Sequence, residues 1–208
     1  MTSELSSLCS YAKGKVSVDT LSKRNYVSTE NMVPNKGGIV DAGALPSAQY
    51  TQQYMKDDIL VSNIRPYFKK IWMADDDGGC SNDVLVFRAE CGCDATFLYY
   101  VLANDAFFNY ASATSKGTKM PRGDKTAIMQ YEVPCFNHET QLRIGKLLRS
   151  IDDRITVNKK INDNLQQQAM SLYAEMFLNS SDSNVTSGTL SDIAVITMGQ
   201  SPSGSSYN

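Results

Sequence analysis

Two short segments of this chain gather side chains that suit contact with a nucleic acid. The first is Ser62-Asn63-Ile64-Arg65-Pro66-Tyr67-Phe68-Lys69-Lys70. The second is Lys116-Gly117-Thr118-Lys119-Met120-Pro121-Arg122. An arginine can make two in-plane hydrogen bonds to a guanine edge, an asparagine can do the same at adenine, and lysines neutralise phosphates. Arg65 and Asn63 are therefore the candidates for reading bases. Lys69, Lys70, Lys116 and Lys119 are the candidates for phosphate contacts, with Thr118 and Arg122 beside them in the second segment. Tyr67 suits packing on a sugar or a thymine methyl, or equally a place in the core. The plain alternative is two solvated basic loops.

Reaction chemistry is missing by comparison. No G-x-x-x-x-G-K-[ST] phosphate loop and no G-x-G-x-x-G occurs. There is no Asn/Asp-Pro-Pro-aromatic run, and no acidic residue is followed two positions later by lysine. Gly199-Gln-Ser-Pro-Ser-Gly204 is not a nucleophile elbow. Cys91-x-Cys93 is too tight for usual zinc spacing, and the only histidine, His138, reads as a surface residue at a helix start. Asp75 to Asp77 and Asp152-Asp153 read as a turn and a solvated helix face rather than magnesium sites. The sequence thus points to a non-enzymatic protein with no cofactor and no metal.

These loops need a scaffold. Asp58-Ile-Leu-Val-Ser62 and Asp83-Val-Leu-Val-Phe-Arg88 are β-rich runs bounded by polar residues, and both read as strands, with Ile71–Ala74 a third. Asp75 to Gly79 reads as a turn whose glycines accept positive φ. Ala95 to about Asn109 reads as one apolar helix, and Ser115 to Asp124 as a basic loop. From Thr140 to about Asn179 the pattern changes. Ile144, Leu148, Ile151, Ile155, Asn158, Asn162, Leu165, Ala169, Leu172 and Met176 recur in alternating steps of four and three. Eight of those ten are apolar, and after Gly145 neither proline nor glycine interrupts. This predicts one long amphipathic helix of coiled-coil type. Its stripe is too long to bury against a single small domain, so it asks for a second helix, with the two asparagines fixing register. The alternative is a helix folded back on its own domain. The fold class expected is therefore α+β: a mixed head over residues 1–138, a spacer or dimerisation helix over 139–179, and a linker with further sequence over 180–208.

That last segment repeats the first. Leu5-Ser6-Ser7-Leu8 with Gly14 returns as Leu190-Ser191-Asp192-Ile193 with Gly199, 185 residues further on at each match. The chain reads as one unit plus the opening of another. Net charge is −2, so no global basic field advertises nucleic acid. No apolar run approaches a membrane span, and Met-Thr-Ser-Glu-Leu lacks the features of a signal peptide. With five cysteines and no export signal, reduced thiols in a cytoplasmic protein are the expectation.

Taken together, three stretches resemble the specificity subunit of type I restriction–modification systems. They are Asp57 to Tyr67, Lys116 to Pro121, and Gln141 to Asn164. The third is the most specific, with its Gln-x-x-Ile start, central Leu-x-x-x-Asp-Asp-x-Ile and closing Asn-x-x-Ile-Asn. Leu190 onward, with Met198-Gly-Gln-Ser-Pro202, resembles the opening of a second target-recognition domain. The resemblance implies sequence-specific binding of double-stranded DNA, with each recognition domain reading half of a split site. It also implies methyltransferase and restriction subunits as partners, with the methyl donor held by the former. The family pattern has two recognition domains and two antiparallel spacer helices. One head and one helix make this a half-length form, so a homodimer through the long helix is expected. The rival reading is a coiled-coil scaffold that binds no DNA.

Overall fold

The computed structural model describes residues 2–178, 188–195, 197 and 199. In chain order the strands are β1 (Thr2–Glu4), β2 (Cys9–Tyr11), β3 (Lys15–Ser17), β4 (Tyr26–Val27), β5 (Tyr50–Tyr54), β6 (Ile59–Ser62), β7 (Ile71–Met73), β8 (Gly78–Cys80) and β9 (Val84–Ala89). Helices α1 (Ala95–Leu102), α2 (Asp105–Ala113) and α3 (Lys125–Met129) follow, then β10 (Glu132–Pro134) and the long α4 (His138–Tyr173).

An antiparallel sheet in the order β2-β9-β6-β7 is the centre of the head. Successive side chains of a strand point to opposite faces. Ile59 and Val61 of β6, with Leu85 and Phe87 of β9, pack with Leu98, Leu102, Phe107 and Phe108 of α1 and α2. Leu60, Val84 and Val86 point the other way, toward Val27, Tyr54 and Cys80 of the second sheet. Both faces of the central sheet are thus covered, which is why these strands read as unbroken apolar runs rather than as an alternation. The second sheet has the order β3-β5-β8-β4, and only β4 and β8 are parallel. A small β1-β10 pair closes the head. The predicted α+β class is what the chain adopts.

Two local expectations are corrected. Gly78 and Gly79 do not form a turn; they lie inside β8, buried between two strands. A Cβ on Gly78 would stand 2.2 Å from the Asn25 carbonyl oxygen and 2.4 Å from the Tyr54 hydroxyl. Glycine is there for close approach, not for positive φ. The aspartates before it do bind backbone, with Asp77 Oδ1 accepting from Lys56 N at 2.7 Å. The apolar stretch from Ala95 is two helices rather than one. Asn104 ends the first and caps the second, its side chain accepting from Ala106 N at 2.9 Å. That side-chain acceptor satisfies a free helix-start amide, which favours a new helix over continuation.

Helix α4 runs for 36 residues, about 54 Å at 1.5 Å per residue. Asn137 caps it through Thr140 N at 2.8 Å, and it ends in a wider π-type turn over Ala174–Leu178. The chain divides into two units, Met1–Thr156 and Val157–Asn208. The first takes in the opening half of α4 because that half is docked by polar contacts. Gln141 is buried, donates to the Phe136 carbonyl at 2.9 Å and accepts from Asp94 N at 3.0 Å. One turn on, Gly145 meets the start of α1 so closely that a Cβ would lie 2.9 Å from Asp94 Oδ1. Tyr100 then donates to Asp152 at 2.7 Å. Ile144 and Leu148 are half-buried beside Phe97 and Tyr131. Beyond them the stripe is bare: Ile151 and Ile155 are each 46% exposed, and Leu165, Leu172 and Met176 are more so.

In the second unit, Leu190–Asp192 forms a 3-10 turn, as Leu5–Ser7 does in the first. The closing bonds correspond too: Leu8 N to Leu5 O at 2.9 Å, and Ile193 N to Leu190 O at 3.3 Å. Sequence repetition thus carries over into backbone geometry. Leu5 is fully buried, whereas Leu190 is 64% exposed. The expected linker, Gly188 apart, lies outside the described residues, as do Met198 and Gln200 to Pro202.

Candidate nucleic-acid interface

The two cationic segments, some fifty residues apart in sequence, are joined through their backbones. Arg65 N donates to the Pro121 carbonyl at 2.8 Å, and Gly123 N donates to the Asn63 carbonyl at 3.1 Å. Ile64 and Arg122 form an isolated antiparallel bridge. Lys116 and Arg122 close the second segment on itself with two bonds of 2.9 Å. The first segment leaves the central sheet at Ser62, and Asn63 N is fixed to the Asp83 carbonyl at 2.8 Å. One continuous loop surface results, held at the end of β6 and the start of β9.

The turn Pro66–Phe68 is bracketed by two left-handed residues, Arg65 at φ +50° and Lys69 at φ +51°. Such a conformation costs a non-glycine residue about 1–3 kcal/mol and survives only where the surroundings impose it. Here they do: Asn35 N and Lys36 N donate to the Phe68 and Lys69 carbonyls at 2.9 and 2.8 Å. Backbone strain of this kind clusters at functional sites.

Side-chain placement separates the predicted residues. Tyr67 and Phe68 are exposed and pack on one another, with ring centroids 4.8 Å apart. Lys119 and Thr118 are exposed, and Lys119 makes no ion pair among the described residues. Arg65 is half-buried, and its Nε is enclosed without a hydrogen-bond partner. Asn63 is only 8% exposed and its Oδ1 is enclosed likewise, lying where a Cβ on Gly123 would touch it at 2.9 Å. Asn63 therefore faces the loop junction rather than the surface.

Most of the other cations are tethered. Lys69 Nζ and Lys36 Nζ both grip Asp105, at 3.0 and 2.7 Å, and hold its carboxyl below the usual range. Lys70 Nζ donates to the Thr29 carbonyl at 2.6 Å, and burial pulls its ammonium below the ordinary lysine value. Lys116 pairs with Asp124, and Arg122 Nη2 with Asp83 at 2.9 Å. In the last two pairs the cation is exposed and the carboxylate half-buried. Exposed ion pairs are worth only about 0–1 kcal/mol, so a competing phosphate can take either cation.

Sequence reasoning missed two neighbours of this surface. Asn82 precedes the carboxylate that holds Arg122, and Lys125 follows the one that holds Lys116. Both are exposed. Neither belongs to a cationic run, so no local pattern marks them.

The head is thus a mixed α/β unit with a strained cationic loop pair, and it continues into a long helix with a bare apolar stripe. The chain belongs to the type I restriction modification DNA specificity domain family, whose pattern matches residues 1–167. It is 27% identical over 117 residues to the specificity subunit of the type I restriction enzyme EcoDI of Escherichia coli, covering 54% of this chain and 25% of that subunit. Its fold is similar to the HsdS subunit of Thermoanaerobacter tengcongensis, with a TM-score of 0.61 at 21% identity, over all of this chain and 58% of that one. A chain from a structural study of complex assembly and conformational transition in the type I R-M system gives 0.61 at 20% identity with the same coverage. At these identities the likeness is one of fold. The chain spans a quarter of the curated relative and a little over half of the solved ones.

Proposed function

We propose that this chain is the DNA-recognition component of a type I restriction–modification assembly, and that its loop surface meets double-stranded DNA in the major groove. The observation that carries the reading is the joining of the 62–70 and 116–122 segments into one cation-bearing surface on the head of a DNA-specificity-family chain. Arg65 is the leading base reader, and Lys119 the leading phosphate contact. Tyr67 and Phe68 present aromatic faces to sugars or thymine methyls. Lys116 and Arg122, both exposed, exchange their carboxylate partners for phosphates. Asn63 shapes the junction between the loops, and Lys69 and Lys70 anchor the turn. Catalysis belongs to the partners: methyltransferase subunits that bring the methyl donor, and restriction subunits. The bare stripe from Ile151 to Met176 supports a homodimer of antiparallel helices, and two-fold symmetry would then favour an interrupted palindrome.

The scaffold reading accounts for the stripe equally well, but gives no reason for a strained, cation-bearing loop pair. The test is selection of bound fragments from random duplex DNA by the chain assembled with its methyltransferase partner. Arg65→Ala is expected to lose about 1–3 kcal/mol and to relax preference at one base position. Lys119→Ala is expected to weaken all sequences about equally and to flatten the salt dependence. Failure to enrich any sequence, with both variants indistinguishable from wild type, refutes the reading.

A further inference from the structure

Where the chain crosses from the central sheet to the second sheet, a cleft of about 370 Å³ opens between them. Its walls are Ala12 to Lys15, Tyr50 to Gln52, Asn82 and Lys125, with Val84 to Val86 of β9 beneath. Gly14, at φ +141°, makes the crossing, and Gln53 N donates to its carbonyl at 3.1 Å. Three exposed lysines, Lys13, Lys15 and Lys125, converge on this cleft from positions more than a hundred residues apart. No ion pair among the described residues involves any of them. On the loop surface, by contrast, every cation except Arg65 and Lys119 is tethered. Lys125 is steadied by Tyr11, whose hydroxyl donates to the Lys125 carbonyl at 3.0 Å while the Lys125 ammonium stands 6.0 Å from the ring centre.

The remaining groups match the lysines. Tyr50 is 55% exposed at the mouth, and Gln52 and Asn82 bring amides that can each make two bonds to an adenine edge. The cleft also adjoins the loop surface directly, because Asn82 and Lys125 are chain neighbours of Asp83 and Asp124, the partners of Arg122 and Lys116.

We infer that this cleft is a second DNA-contact site on the same head, in which Lys13, Lys15 and Lys125 hold phosphates and Gln52 and Asn82 read base edges. The inference rests on the DNA-recognition reading and extends it beyond the two loops. A duplex lying on the loops continues across Asp83 and Asp124 into the cleft, so the head contacts a longer tract than the loops alone would reach.

The test uses the full chain with its methyltransferase partner and duplex DNA recovered by the selection above, titrated at several salt concentrations. Each phosphate contact adds about 0.9 to the slope of log affinity against log salt. Replacing Lys13, Lys15 and Lys125 together by Gln is expected to lower that slope by about 2.7 and to weaken all sequences. The single Lys13→Gln variant is expected to lower it by about 0.9, which keeps the test open if the triple variant folds poorly. Gln52→Ala is expected to relax a base position different from the one relaxed by Arg65→Ala. If wild type binds and Lys119→Ala weakens it, but the lysine variants keep the wild-type slope, the cleft is not a DNA site while the loop reading stands. If wild type binds no duplex, the DNA reading itself fails and this inference falls with it.

Discussion

Gly145→Ala tests how the long helix is mounted on the head. In an exposed helix this change stabilises by about 1 kcal/mol, because glycine wastes backbone entropy. Here the new methyl carbon would stand 2.9 Å from Asp94 Oδ1 and 3.1 Å from Phe97 N. Those two atoms are the ends of the 2.8 Å bond that caps α1. The methyl group thus lands on a formed hydrogen bond with backbone on one side, and Asp94 cannot turn away without uncapping the helix. Loss of a cap costs about 1 kcal/mol. Forcing a carbon into a filled contact costs about 1–3 kcal/mol. Set against the helix gain, the net effect is a loss of about 1–3 kcal/mol. Trp72, the only tryptophan, sits edge-on to Tyr54 at 5.8 Å in the head, so its fluorescence follows unfolding of that unit. With a urea slope of about 2 kcal/mol/M, the midpoint should fall by about 0.5–1.5 M. A rise in midpoint would show that α4 does not press on the start of α1, and the docking described above would be refuted.

If the long helix pairs as proposed, replacing Ile151 and Ile155 by Asp should convert a homodimer to monomer in sedimentation, since each carboxylate would be buried unpaired at several kcal/mol. A wild-type chain that sediments as a monomer at micromolar concentration removes the basis for this expectation. Asp58, almost fully buried, accepts from Arg88 Nε and Nη2 at 2.8 and 2.6 Å and from Met55 N at 2.8 Å. Because the Arg88 side chain is 35% exposed, Asp58→Ala should cost about 2–3 kcal/mol rather than the full cost of a buried pair, read by thermal or urea unfolding. Burial pushes the Cys9 and Cys80 thiols up to about 12, leaving about one part in ten thousand as thiolate at pH 8. Native protein should therefore show rapid alkylation of Cys91 and Cys135, slow reaction of half-buried Cys93, and protection of Cys9 and Cys80 until unfolding. Rapid labelling of all five by mass spectrometry would contradict the packing.

The central sheet was legible because β6 and β9 are apolar on both faces, and the long helix because its stripe runs for about nine turns with no breaker after Gly145. The second sheet was not. Tyr50-Thr-Gln-Gln-Tyr54 lacks apolar alternation, since Gln52 and Gln53 stay half-exposed, and Gly78-Gly79 resembles a turn to any local reading. The close approach of the Asn25 carbonyl and of Tyr54, Leu21 and Thr51 to β8 explains why glycine is needed there. The helix break at Asn104 was missed because one polar residue in an apolar run looks tolerable until its capping bond is seen. The two loops were found from composition, while their union through Pro121 and Gly123 required tertiary structure. Asn63 looked like a base reader by type, yet its amide points into the loop junction. Lys13, Lys15 and Lys125 were invisible as a group because charge patterning detects neighbours in sequence, and Lys125 joins the Lys13-Gly-Lys15 pair only in the fold. Asp58, part of the stretch that carried the family resemblance, proves to be a structural anchor rather than a surface residue.

The left-handed backbone at Arg65 limits the alphabet available at that position. Val, Ile and Thr clash with their own backbone at φ near +50°, whereas Gly, Asn, Asp and unbranched side chains are accommodated. Threonine, whose methyl group can recognise thymine, is thus denied to position 65. Diversification there is confined to side chains without a branch at Cβ. A threonine contact to thymine would have to be written elsewhere on the surface, at positions such as Lys119 or Tyr50 that carry no such backbone constraint.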